Sequence, residues 1–178
     1  FMQRNGALSG YPLLFIALII ATVAGMLFAA FHAFASINMS ADQTISGTAL
    51  NLFAPAIVIF IARAVVGIQQ VAFKNEWRIR AVPLLSDIPI IGRMFFTNTY
   101  VTTLIGIVIL IVTQYVLFHT RFGLRLRSAG ENPHATDAAG ISVKKMRYAG
   151  VLISGALGGL GGLIYIIPIS VSFDGNVA

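Results

Sequence analysis

The most specific local chemistry in this sequence lies between Asn132 and Gly140, and it is recognition chemistry rather than bond-breaking. Asn132 is a good helix N-cap, because its side chain can accept an orphan backbone N–H. Pro133 suits the first helical position, where its missing N–H costs nothing. Gly140 suits the left-handed residue that follows a helix end. Between these markers Ala135, Ala138 and Ala139 fall at i, i+3 and i+4, which makes one small, smooth face. A helix of two turns is marginal alone, so something must hold it. Two readings stand. It is a surface helix packed on its own protein, or a docking element whose alanine face enters a partner's groove. In the second reading the surrounding arginines steer it toward an acidic rim.

A second polar set is Thr44, Thr48 and Asn51, with Pro55 continuing the same helical face. Polar groups inside a membrane are costly and face a bundle interior or a wet cavity. The set is either a path for a polar solute or a set of interhelical hydrogen bonds. Pro55 removes one backbone bond and predicts a kink. A third set is Gly155, Gly158, Gly159 and Gly162, two interleaved GxxxG pairs that predict close helix packing. They are no nucleotide loop, since no Lys-Ser/Thr follows. The absence of cysteine excludes disulfides and thiolate metal sites. His32, His119 and His134 lack ligand spacing, so no metal site is expected. No nucleophile–base pair and no paired carboxylates occur, so no catalytic residue is assigned.

The elements that must position these groups follow from composition. The 178 residues are 57% hydrophobic and 10% charged, with a mean hydropathy of +0.87. A soluble domain carries about 25% charged residues. The net charge of +6 does not indicate nucleic acid, because no basic stripe is interleaved with aromatics. Four apolar stretches are near the roughly 20 residues needed to cross a bilayer. They run over about 11–34, 45–66, 100–118 and 148–169. Each must be helical to satisfy its backbone in lipid, including the β-branched run from Ile105 to Val112. The predicted fold is therefore an all-α polytopic bundle. The connector from Gly67 to Asn98 is expected to hold a short interfacial helix, with Trp77 as an anchor. Arg63 is expected to snorkel. The connector 119–147 holds Arg121, Arg125, Arg127, Lys144, Lys145 and Arg147. The connector 67–98 holds Lys74, Arg78, Arg80 and Arg93. That margin favours a cytoplasmic 119–147. The chain enters a span soon after Phe1 and stops just past another, so it reads as an internal piece of a longer protein.

The run GLRLRSAGENPHATDAAGISVKKMRYAGVLISGALGGLGG, Gly123 to Gly162, resembles the signature of ABC-importer permeases of the ribose, nucleoside and branched-chain amino acid group. Those permeases carry a pattern like G-x-R-x-R-A-x-G-x-N-x-x-A-A-x-x-A-G-I ahead of a glycine-rich span. Gly123, Arg125, Arg127, Gly130, Asn132, Ala135, Ala139, Gly140 and Ile141 match it. Ser128 and Thr136 depart from it with residues that are also small. The run ADQTISGTALNLFAP, Ala41 to Pro55, is similar to the basic-membrane-protein or nucleoside branch. The resemblance implies that Arg125, Arg127, Gly130, Asn132, Pro133, Ala135, Ala138, Ala139 and Gly140 form a cytoplasmic coupling element seated on an ABC ATPase. It further implies a second permease subunit, homologous or identical, an extracytoplasmic solute-binding lipoprotein, and a multi-pass place in the bacterial inner membrane. ATP would be bound and hydrolysed by the separate ATPase, and this chain would need no cofactor of its own. The solute implied is a nucleoside. A sugar or branched-chain amino acid permease, or a transporter working without ATP, remains the alternative.

Overall fold

The computed structural model describes residues 11–66, 70–72, 78–81, 97–169 and 172–174. Helix α1 spans Tyr11–Ala33 and widens into one π-helical segment, Phe34–Asn38. Ser40, at φ 51°, then turns the chain through the left-handed region. Helix α2 spans Gln43–Val66 and is started by Asp42, whose Oδ1 accepts the N–H of Thr44 at 2.7 Å and of Ile45 at 3.2 Å. These bonds satisfy donors that a helix start leaves orphaned. The helix runs on through Pro55. Next come strands β1 (Gln70–Ala72), β2 (Arg78–Ala81) and β3 (Thr97–Tyr100), then helix α3 (Val101–His119). Helices α4 (Arg121–Glu131) and α5 (Pro133–Ala138) follow, then the long α6 (Val143–Ile169) and strand β4 (Ser172–Asp174).

Among the described residues, four helical stretches are long and apolar enough to cross a membrane: Pro12–Asn38, Gln43–Val65, Thr102–His119 and Val143–Ile167. All four membrane-crossing elements are helices, as hydrocarbon requires. Among the described residues the short strands lie outside these four stretches, where β1 pairs antiparallel with β4 and β2 with β3. The described residues of the connector 67–98 are therefore strands. The rest of the expected interfacial helix, and Trp77, lie outside the described residues. Helix α6 begins at Val143, ahead of the apolar stretch read from Tyr148, so Lys144, Lys145 and Arg147 sit on its first turns.

Lipid-facing helices cannot rely on apolar burial to associate, so close backbone approach must hold them. Helices α1 and α6 show this. They run antiparallel, with Leu14 buried against Ile167 at one end and Gly25 facing Gly155 and Gly159 further along. A Cβ on Gly155 would collide with Ala29, and one on Gly159 with the Ala21 carbonyl. Helix α2 meets α1 through a tilted pair of rings, Phe28 and Phe53, 6.3 Å apart. His32 Nδ1 lies 3.1 Å from Ser46 Oγ, a hydrogen bond between the same two helices. Helix α3 packs on α6, with Gly106 close to Ile164. The antiparallel α1–α6 pair sets the α1–α2 connector and the α4–α5 connector on one side of the bundle. The β1–β4 pairing gathers the other ends of α2 and α6 on the opposite side.

Candidate functional site

The polar connector folds into two helices joined at a corner. Thr120 caps α4 by accepting the Gly123 N–H at 3.2 Å. Gly123 is buried where α4 turns back against the end of α3, and a Cβ there would strike the carbonyls of Val116 and Leu117. Only glycine allows that approach. The Arg127 guanidinium lies 4.8 Å over the Phe118 ring, a cation–π contact that ties α4 to α3. On the other side Leu126 reaches Gly150 of α6, where an added Cβ would come within 3.1 Å of Leu126 Cδ1. Arg125 and Gly130 are exposed.

Asn132 is the corner. Its backbone N–H ends α4 on the Ser128 carbonyl at 2.9 Å, and its Oδ1 starts α5 by accepting the Ala135 N–H at 3.0 Å. Pro133 takes the first helical position. At the far end Gly140 has φ 78°. Its N–H donates to the Asp137 carbonyl at 2.9 Å, while the Ile141 N–H donates to the Thr136 carbonyl at 3.2 Å. This pair of bonds is a Schellman closure, and it satisfies the last carbonyls of the helix. Thr136 is the side that packs inward. It is 4% exposed and its hydroxyl donates to the Asn132 carbonyl at 2.9 Å. Ala135, Ala138 and Ala139 are all exposed. The short helix is thus held from behind and presents its small face outward.

Around it, Lys144, Lys145 and Arg147 crowd the start of α6, which has no acidic residue in its first turn. Cations at a helix N-terminus oppose the macrodipole.

Thr44, Thr48 and Asn51 line an open recess of about 610 Å³ on α2, together with Gln43, Gly47 and Phe28 of α1. The hydroxyls differ in how committed they are. Thr48 Oγ1 donates to the Thr44 carbonyl at 2.8 Å, and Thr44 hydrogen-bonds the Asp42 carboxylate. The Asn51 amide is exposed and keeps its full hydrogen-bonding capacity. The Ile45 N–H, and then the Thr44 N–H, hold the Asp42 carboxyl below the usual carboxylate range. Among the described residues no cluster of His, Cys, Asp or Glu could hold a metal ion.

Of the four glycines expected to pack, Gly155 and Gly159 meet α1, while Gly158 and Gly162 are exposed, and a Cβ added at either would meet nothing within 4 Å. Sequence reasoning missed the partner surface on α1, formed by Ala21, Gly25 and Ala29. The four-residue spacing of these small residues was the available signal.

Residues 3–174 match the family described as the permease component of branched-chain amino acid transport systems. The chain belongs to that permease family. It is 47% identical over 159 residues to the nucleoside ABC transporter permease protein NupC of Lactococcus lactis, covering 89% of this chain and 50% of that protein. It is 42% identical over 174 residues to the guanosine ABC transporter permease protein NupQ of Bacillus subtilis, covering 97% of this chain and 53% of that protein. This permease segment thus spans about half the length of the curated relatives it matches. No solved structure matches it. Family and helices together make it a multi-pass integral membrane protein of the inner membrane.

Proposed function

We propose that this chain is the membrane-spanning part of an ATP-driven nucleoside importer, in which α4 and α5 form the cytoplasmic seat for an ABC ATPase. The observation that carries the reading is α5 itself: capped at both ends, fixed through Thr136, and exposing Ala135, Ala138 and Ala139. Small exposed side chains on a rigid turn suit insertion into a groove, and the neighbouring cations suit an acidic rim. The similarity to two nucleoside permeases supports the solute class. ATP is bound and hydrolysed by the ATPase, not by this chain. A second permease subunit completes the path, and an extracytoplasmic binding lipoprotein delivers the solute. ATP-driven closure of the ATPases draws the α5 seats inward, and the spans rock from outward to inward access around the polar face of Thr44, Thr48 and Asn51. No covalent step involves this chain.

The test is co-expression of the full-length permease with its ATPase. Copurification with the wild type, and uptake lost in Ala139→Trp, is the expected result. An Ala139→Trp permease with unaltered ATPase binding and unaltered uptake would remove α5 as the seat.

A further inference from the structure

The recess on α2 holds a combination that the polar face alone does not explain. One wall is an aromatic ring, Phe28, which Phe53 steadies at 6.3 Å with the two rings tilted by 57°. The lining from α2 brings the amides of Gln43 and Asn51. Gly47 leaves a bare floor, where an added Cβ would meet nothing within 4 Å, so the helix backbone is open to a flat group. An aromatic face, a bare floor and amide groups match the surfaces of a nucleobase. Bases stack on phenylalanine, because every base presents a π-face to the ring. A side-chain amide offers one donor and one acceptor side by side, which can pair with the edge of a base. Thr48 does not compete for that role, since its hydroxyl donates to its own helix. The Asn51 amide is uncommitted in a segment where an unpaired amide is costly. A solute that pairs with it removes the cost.

We propose that Phe28, Gly47 and Asn51 form a nucleobase subsite of the transport path, with the base stacked on Phe28 over Gly47 and its edge paired with the Asn51 amide. This rests on the reading of the chain as a nucleoside permease and adds which part of the solute is recognised and by what. It also places the contact in the half of the bilayer nearer the coupling element, because the recess opens at the start of α2.

The experiment is uptake of labelled guanosine, adenosine and ribose by proteoliposomes holding the full-length permease, its ATPase and its binding protein. The expected result is a several-fold higher KM for nucleosides in Phe28→Leu and Asn51→Leu, with complex assembly unchanged. Phe28→Tyr keeps the ring and is expected to restore the wild-type KM. Gly47→Leu fills the floor and is expected to block nucleosides while the complex still assembles. A wild type that carries ribose but neither nucleoside would overturn the nucleoside reading itself. A wild type that carries nucleosides, with Phe28→Leu and Asn51→Leu at wild-type KM, would overturn the subsite alone. Loss of assembly in step with loss of uptake would likewise overturn the subsite, by assigning these residues to packing.

Discussion

Asn51 and Thr48 sit on the same face of α2, yet the structure gives them unequal work. Thr48 donates to the Thr44 carbonyl, while the Asn51 amide stays uncommitted. Thr48→Val is therefore expected to change nucleoside uptake less than twofold, and Asn51→Leu to reduce it several-fold at limiting solute. Equal losses, read in the same uptake assay, would contradict that division. Asp42 gives a second residue-scale prediction. Its carboxyl is held below the usual range by the Ile45 and Thr44 N–H groups. A lowered folded pKa stabilises the capped helix above the unfolded value near 3.9, and this support is lost as pH falls through the folded value. Carbon-13 NMR of the Asp42 carboxyl is expected to show a midpoint below that of ordinary aspartate, and a midpoint at or above it would contradict the cap. The i, i+4, i+7 spacing of Thr44, Thr48 and Asn51 was legible in the sequence. The commitment of each hydroxyl was not, because it depends on which rotamer closes on which carbonyl. Phe28 was also invisible, since it enters the recess from a different helix.

At the scale of elements, α5 was readable nearly to the residue. Asn132, Pro133 and Gly140 each carry a local reason for their place, and local reasons need no tertiary knowledge. Asn132→Ala is expected to cost about 1 kcal/mol of helix stability. Gly140→Ala is expected to cost about 1–2 kcal/mol, because a side chain at φ 78° is strained. Both are measured as weaker ATPase copurification with the permease fold intact, and undiminished copurification in either would speak against a preformed seat. Helix α4 was harder to see. It is short, basic and folded back on α3 through Gly123, a contact that only the structure supplies. The glycine pairs of α6 show the same limit. Their spacing announced close packing but not which pair faces α1. Gly159→Leu is expected to lower the melting temperature in detergent by several degrees, since overpacking costs roughly 1–3 kcal/mol. Gly158→Leu has open space to fill and is expected to leave the melting temperature nearly unchanged. Equal shifts in the two variants would contradict the α1–α6 geometry.

For the whole molecule, composition and the length of the apolar stretches were enough to give a helical bundle with four spans among the described residues, because lipid leaves the backbone few options. Composition could not give the neighbours, and the close packing of α1 on α6, beside its contact with α2, came from shape. Two features meet on one side of that bundle. The α4–α5 connector offers a small, rigid, cation-flanked face, and the recess of α2 opens toward the same side. In the proposed importer, an ATPase seated on the first would act on the same side of the bundle as the second. The most direct measurement is uptake of labelled nucleoside into proteoliposomes containing the full-length permease and its binding protein, with and without the ATPase. The expected result is uptake only when both ATPase and ATP are present, and its loss in Ala139→Trp. Undiminished uptake in liposomes that lack the ATPase would contradict a coupled, ATP-driven path.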